Sequence, residues 1–301
     1  MVIDKKRIGA YLGSNQGLYG SLTNWIRELD LAVGLGLGLM RFNSDAWDLI
    51  QPTASTFDFT VLDKLVDECQ ARNLDIIFTT PISATWNRPA GTDTHTPTTN
   101  MEAVRKLVGA VAIRYAGRIK YYEAWNEPDY PNFWKPTPNA TAYVEYLRMV
   151  YDTVKSCDPQ ALVINGGLAF PADPTFLQAV VAAGGQPFID IANVHIYPAF
   201  ATVTSALATI NTVLGVDFPV IVTEISSTGG TFDTTDRPAE ENKKGVLLAT
   251  SYHALLQQSR VKGVVWHSLR NPVGLDFGLM DNAFVELPAM AVHRAISYFA
   301  S

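Results

Sequence analysis

The chain is 301 residues long, 48 % hydrophobic and 17 % charged, with a formal net charge of −6. That length gives one large domain or two small ones ample material for a core. The acidic balance excludes the basic face that a nucleic-acid partner wants, and no apolar run reaches the ~18 residues of a membrane helix.

Read from the N-terminus, short β-branched or aromatic runs alternate with longer amphipathic ones. The predicted strands are Arg7–Gly13, Gly38–Asn43, Leu74–Thr80, Ile119–Trp125, Ala161–Asn165, Ile189–Ile196, Phe218–Glu224 and Val261–Ser268. Between and after them, helical periodicity covers Leu22–Val33, Phe59–Arg72, Met101–Ala116, Ala140–Ser156, Pro174–Ala183, Val203–Leu214, Pro238–Ser259 and Leu287–Phe299. Eight strand–helix units at a steady repeat are the count of a (β/α)8 TIM barrel, and we expect one domain over residues 1–301 without an added β-sandwich. A doubly wound sheet shares the alternation. The polar and aromatic loops, however, mostly follow strands, as the active face of a barrel requires. Gly34, Gly36 and Gly38 follow a helix and precede a strand, the reverse of a phosphate loop, so they read as a helix stop and turn.

Two carboxylates close strands. Trp125-Asn126-Glu127-Pro128 ends the fourth and Thr223-Glu224 the seventh. Strand alternation puts Tyr121, Glu123, Trp125 and Glu127 on one face, and Val220, Val222 and Glu224 on another. Strands four and seven lie on opposite sides of an eight-stranded barrel, so Glu127 and Glu224 are expected to face each other across its mouth. Such a pair serves acid/base and nucleophilic work on a sugar acetal, with its spacing setting the stereochemical outcome. Glu123 sits deeper on the same face, where a carboxylate must be paired. We read it as structural, with Arg41 as its partner.

Asn126-Glu127-Pro128 with Glu224 resembles the large clan of retaining glycoside hydrolases whose (β/α)8 barrels carry catalytic glutamates on strands four and seven. Gly166-Gly167 and the stretch from Glu123 to Pro128 resemble family 39 in particular. Gln51-Pro52 through Phe57-Asp58-Phe59 and Leu62-Asp63 is similar to families 5 and 39. The resemblance implies Glu127 as general acid/base and Glu224 as nucleophile. It implies Asn126 on the 2-hydroxyl of the reacting sugar, Arg41 and Tyr197 orienting Glu224, His195 near Glu127, and Trp266 as a flat floor. Its implied activity is a retaining β-glycosidase. Endo action on an oligo- or polysaccharide is expected, because many exo-acting relatives carry an added β-sandwich for which this chain has no room, and loop aromatics suggest several sugars bound at once. The alternatives are an exo-acting β-xylosidase or β-glucosidase, and a barrel that binds glycans without cleaving them.

Aromatics on the loops after strands (Trp47, Trp86, Phe133, Trp134, Phe200 and Phe232) are candidate sugar platforms, Trp86 and Trp134 foremost. The long loop Pro81–Asn100 is a candidate for function. His95, His195, His253, His267 and His293 show no metal-ligand spacing, and no G-x-S-x-G elbow is present. We therefore expect no metal and no cofactor. His253 and His293 are expected to be solvated or capping. Cys69 and Cys157 read as core thiols, with their pairing open. Without an apolar leader at Met1, the chain reads as cytoplasmic or as a mature secreted form. The sequence leaves the sugar and the oligomeric state open.

Overall fold

The computed structural model describes residues 4–12, 22–42, 47–80, 82–199, 201–227, 234–271, 276–281 and 283–298. Eight parallel strands form one sheet: β1 (Ile8–Tyr11), β2 (Leu39–Phe42), β3 (Asp75–Thr79), β4 (Tyr121–Ala124), β5 (Leu162–Asn165), β6 (Ala192–Ile196), β7 (Val220–Ile225) and β8 (Val261–Trp266). Ladders run continuously in the order β5-β4-β3-β2-β1-β8-β7-β6. The β5–β6 seam is closed by single bridges, Ile164 with Ile191 and Leu168 with Val194. Side chains reinforce it: Asn165 Nδ2 donates to Asn193 O at 2.9 Å, and Asn193 N donates to Asn165 Oδ1 at 2.8 Å. The result is a TIM barrel, as the alternation predicts.

Alternation sorts the core into two layers. Tyr11, Leu39, Ile77, Tyr121, Ile164, Ile221 and Val265, one from each of seven strands, fill the barrel interior together with Ile191, which immediately precedes β6. Their neighbours, among them Met40, Phe78, Tyr122, Val163, Val194, Val222 and Val264, pack outward in a second cluster with the helices. Those helices are α1 (Leu22–Gly34), α2 (Trp47–Ile50), α3 (Thr60–Ala71), α4 (Met101–Arg114), α5 (Ala140–Cys157), α6 (Thr175–Ala182), α7 (Val203–Val213), α8 (Arg237–Leu256) and α9 (Pro288–Tyr298). Local chemistry sets their starts. Asn100, Asn139 and Asp236 accept from backbone N–H groups three residues on, and Thr202 with Ser205 forms a reciprocal capping box. The Gly34–Gly38 stretch is the expected turn, with Gly36 at φ +73°. The one-turn α2 escapes a reading by periodicity because four residues carry no period.

Two smaller expectations need correction or refinement. His293 is fully buried against Tyr252 rather than solvated, because α9 turns that face onto α8, and burial pushes its pKa down to about 4. Cys69 is buried and Cys157 half-buried, and both are free thiols. No helix among the described residues is long and apolar enough to cross a membrane.

Candidate active site

Strand ends deliver the polar residues to the carboxyl face of the barrel. Arg41 is on the inner face of β2, Glu123 on β4, His195 on β6 and Thr223 and Glu224 on β7. The register between β6 and β7 shifts here: Val194 pairs with Val222, but His195 pairs with Glu224. Thr223 is the extra residue of this bulge. It resets the alternation, so that Glu224 points inward although Val220 and Val222 pack outward. The expected common face of Val220, Val222 and Glu224 is thus broken by the bulge.

A similar break ends β4. Trp125 and Glu127 take positive φ, at 75° and 48°, conformations that non-glycine residues adopt rarely and that cluster at functional sites. Trp125 therefore leaves the face it was expected to share with Glu123. Its ring is buried in the outer layer, where its indole N–H donates to Phe133 O at 2.8 Å. Asn126 and Glu127 turn to the mouth instead.

Arg41 is the hub. Fully buried, it donates from Nε to Glu123 Oε2 at 2.6 Å, from Nη1 to Glu224 Oε1 at 2.6 Å and from Nη2 to Asn126 Oδ1 at 2.9 Å. Tyr197 O–H donates to the other oxygen of Glu224 at 2.5 Å. His195 Nδ1 meets Glu127 Oε1 at 2.8 Å, and its Nε2 meets Thr223 Oγ1 at 3.1 Å. One oxygen each of Glu127 and Glu224 and a nitrogen of His195 all lie within 4.8 Å of one another. Gly167 makes this packing feasible, because a Cβ there would collide with the His195 ring.

Glu123 is satisfied from five directions: Arg41 Nε, Thr79 Oγ1 at 2.7 Å, Asn193 Nδ2 at 2.7 Å, Thr223 Oγ1 at 2.9 Å and Gly167 N at 3.2 Å. Burial alone would raise its pKa, but Arg41 and His195 hold it well below the usual carboxylate range. Glu224 follows the same logic: burial works against its charge, and His195, His267, Arg41 and the Tyr197 hydrogen bond outweigh it, so the carboxyl is held far below its ordinary value. His267 is itself pushed toward the neutral form by burial, so near neutrality the field on Glu224 comes from Arg41 and His195. Burial disfavours a charged His195 ring too, but Glu224, Glu123 and Glu127 push its pKa up to about 10. Glu127 moves the other way. Burial raises its pKa, and the charges of Glu224 and Asp129 add to the shift against the opposing pull of His195. Two cations, Arg41 and His195, thus balance two anions, Glu123 and Glu224. Glu127 is the third carboxyl, and with its pKa raised it holds its proton to a higher pH than the other two.

The structure brings Arg41, Asn126, Glu127, His195, Tyr197 and Glu224 together. It does not bring Trp266 or Trp134. Trp266 packs outward from β8 with its indole N–H on Phe277 O at 3.0 Å, because inner parity on that strand belongs to Gly263, Val265 and His267. His267 occupies the mouth instead, stacked on Tyr11 at 4.8 Å with Nδ1 3.6 Å from Glu224 Oε2. Trp134 is buried against Trp125 and Tyr143. Trp47 is buried too, its indole N–H on Gln51 Oε1 at 2.8 Å. Trp86 stays half-buried, its N–H donating to Gln51 O at 2.8 Å. Phe200 and Phe232 lie outside the described residues. Sequence reading missed His267, Thr79 and Asn193. Their signal was a polar residue at the inner parity near a strand's carboxyl end.

Glu127, His195 and Glu224 approach the spacing of a cation site, but His195 Nδ1 is engaged by Glu127 and both Glu224 oxygens by Arg41 and Tyr197. A guanidinium at 2.6 Å also repels a cation, so the donor set does not suit a metal.

In solved structures the fold recurs. A family 39 glycoside hydrolase from Bacteroides cellulosilyticus superposes with TM-score 0.77 at 20 % identity, over 99 % of this chain and 65 % of that one, so this chain spans just under two thirds of its length. A GH39 β-xylosidase from Caulobacter crescentus gives 0.76 at 18 % identity, over 99 % of this chain and 72 % of that one. Xylanase 10B from Thermotoga maritima gives 0.72 at 14 % identity, over 98 % and 96 %. No curated protein sequence matches the chain. A family profile described as β-galactosidase, glycoside hydrolase 42, matches residues 20–109. The profile described as the glycosyl hydrolase catalytic core matches residues 79–283, a segment that holds both mouth carboxylates and more than half of the chain, and the protein accordingly belongs to that family of glycosidases.

Proposed function

We propose that the protein is a retaining β-glycoside hydrolase working by double displacement, with Glu224 as nucleophile and Glu127 as general acid/base. The observation that carries this reading is the approach within 4.8 Å of oxygens from two carboxyls whose surroundings push their pKa values in opposite directions, Glu127 up and Glu224 down. So short a gap suits direct attack better than the wider spacing that accommodates a water. Glu224, ionised and fixed through both oxygens, attacks the anomeric carbon as the glycosidic C–O bond breaks. Glu127 gives its proton to the departing oxygen. His195 already occupies Glu127 Oε1, which leaves Oε2 for that transfer. Once Glu224 is esterified its charge is gone, and the Glu127 pKa falls. Glu127 then takes a proton from the water whose oxygen displaces Glu224. Asn126, fixed by Arg41, offers its amide N–H to the 2-hydroxyl of the reacting sugar.

The finer reading is endo action on a β-linked polysaccharide. Its support is the likeness of the barrel to the Thermotoga xylanase. The likeness to the Caulobacter β-xylosidase favours the exo reading, and product lengths separate the two. The deciding experiment offers a panel of β-linked polysaccharides and follows products by mass and by proton NMR from the first turnover. Oligosaccharides appearing first as the β-anomer are expected, with none from Glu224→Gln. An α-anomer as first product, or full activity in Glu224→Gln, would overturn the assignment.

A further inference from the structure

The loops after β3, β4 and β5 carry a ridge of aromatic rings that the catalytic groups do not use. His95, Phe133, Tyr130 and Phe170 follow one another at centroid spacings of 5.0, 5.8 and 5.1 Å. All four are half-buried. The ridge is held rigidly. Lys135 N donates to His95 O at 3.0 Å and Lys135 Nζ pairs with Asp93, tying the β3 loop to the β4 loop. Asp129 accepts from Ala169 N and Phe170 N at 2.9 and 2.8 Å, tying the β4 loop to the β5 loop. From beneath, the buried Trp125 and Trp134 prop it, and the Trp125 indole N–H grips Phe133 O. The loop aromatics have therefore divided, with the tryptophans as supports and the smaller rings as the partly open face.

The ridge continues directly from the acid. Tyr130 N donates to Glu127 O at 3.1 Å, so the first ring stands one turn beyond the group that protonates the departing oxygen. Whatever leaves with that oxygen leaves past Glu127, whereas Glu224, with Tyr197 and His267 against it, meets the anomeric carbon of the glycosyl half. Fixed rings are suited to an amphipathic partner with an apolar face and a wet rim, and the C–H faces of β-linked pyranoses are such a partner. The geometry points to this ridge as the binding surface for the leaving half of a β-linked, uncharged glycan chain, with Tyr130 nearest the scissile bond and Phe133 and Phe170 further along. This rests on the roles given above to Glu127 and Glu224.

The test uses Tyr130→Ala, Phe133→Ala and Phe170→Ala in the full chain. Two probes are compared: a β-1,4-linked hexasaccharide (xylo-, cello- or manno-, whichever the wild type cleaves fastest) and the β-fluoride of the corresponding disaccharide. Fluoride is one atom and cannot reach the ridge. The ratio of kcat/KM for the hexasaccharide to that for the fluoride is insensitive to the fraction of folded enzyme. We expect this ratio to fall about fivefold or more in each variant, and cleavage to move toward the reducing end as long leaving fragments lose their hold. An unchanged ratio in all three variants of an active enzyme overturns the ridge alone. A wild type that turns over neither probe nor any member of the polysaccharide panel overturns the assignment of the carboxylates, and this inference with it.

Discussion

Replacing Tyr197 with Phe removes one hydrogen bond and little else. The phenol O–H donates to Glu224 Oε2 at 2.5 Å, while Oε1 stays on Arg41 at 2.6 Å. The ring body, packed near Phe277 and His267, is conserved in shape. A hydrogen bond to a charged acceptor contributes about 1.5–3 kcal/mol net, which corresponds to about 1–2 pK units. The bond stabilises ionised Glu224, so its loss raises the Glu224 pKa. The acidic limb of the kcat/KM profile reports that group in the free enzyme and should move up by about 1–2 units. Stability carries the same signature. A carboxyl whose folded pKa is depressed contributes stability that is present above its unfolded value of about 4.3 and is lost as pH falls through the folded value. The wild type should therefore melt higher than Tyr197→Phe at neutral pH, and the gap should narrow only once the pH falls through the raised Glu224 pKa of the variant. The assays are a pH series of initial rates and of thermal melts. An acidic limb that does not move, in a folded variant, would refute the claim that Tyr197 holds Glu224 ionised.

Three further outcomes follow from the same network. Glu123→Ala should lose about 3–5 kcal/mol of stability, because it strands buried donors on Arg41, Thr79, Asn193 and Thr223; an unchanged urea midpoint would show that Glu123 is not structural. Trp134→Ala should cost about 3–5 kcal/mol as a core cavity, measured by urea unfolding, and a stable variant with a raised KM would restore it as a sugar platform. Turnover should be indifferent to EDTA, because His195 Nδ1 and both Glu224 oxygens are already engaged and the Arg41 guanidinium repels a cation; loss of activity restored by one divalent ion would contradict that.

The sequence by itself determined the barrel and its chemical poles. Eight apolar runs of strand length, each followed by an amphipathic helix, leave little freedom, because the period of side chains is a local property written residue by residue. All eight expected strands appear within the described residues, and Glu127, Glu224, Arg41, His195 and Tyr197 lie at strand ends, so the topology alone brought them to one end of the barrel. Tertiary structure decided which way several of those residues face. A single extra residue at Thr223 turns Glu224 inward, and two positive φ values turn Trp125 out and Glu127 in. Parity gives the mouth of β8 to His267 rather than Trp266, and packing sends Trp47 and Trp134 under the loops while Phe133 and Tyr130 stay on top. Bulges, left-handed residues and the sorting of aromatics between core and cleft depend on neighbours far along the chain. Local periodicity carries no record of them, and the protonation of the carboxyls, set by charges brought together from β2, β4, β6 and β7, is equally absent from it.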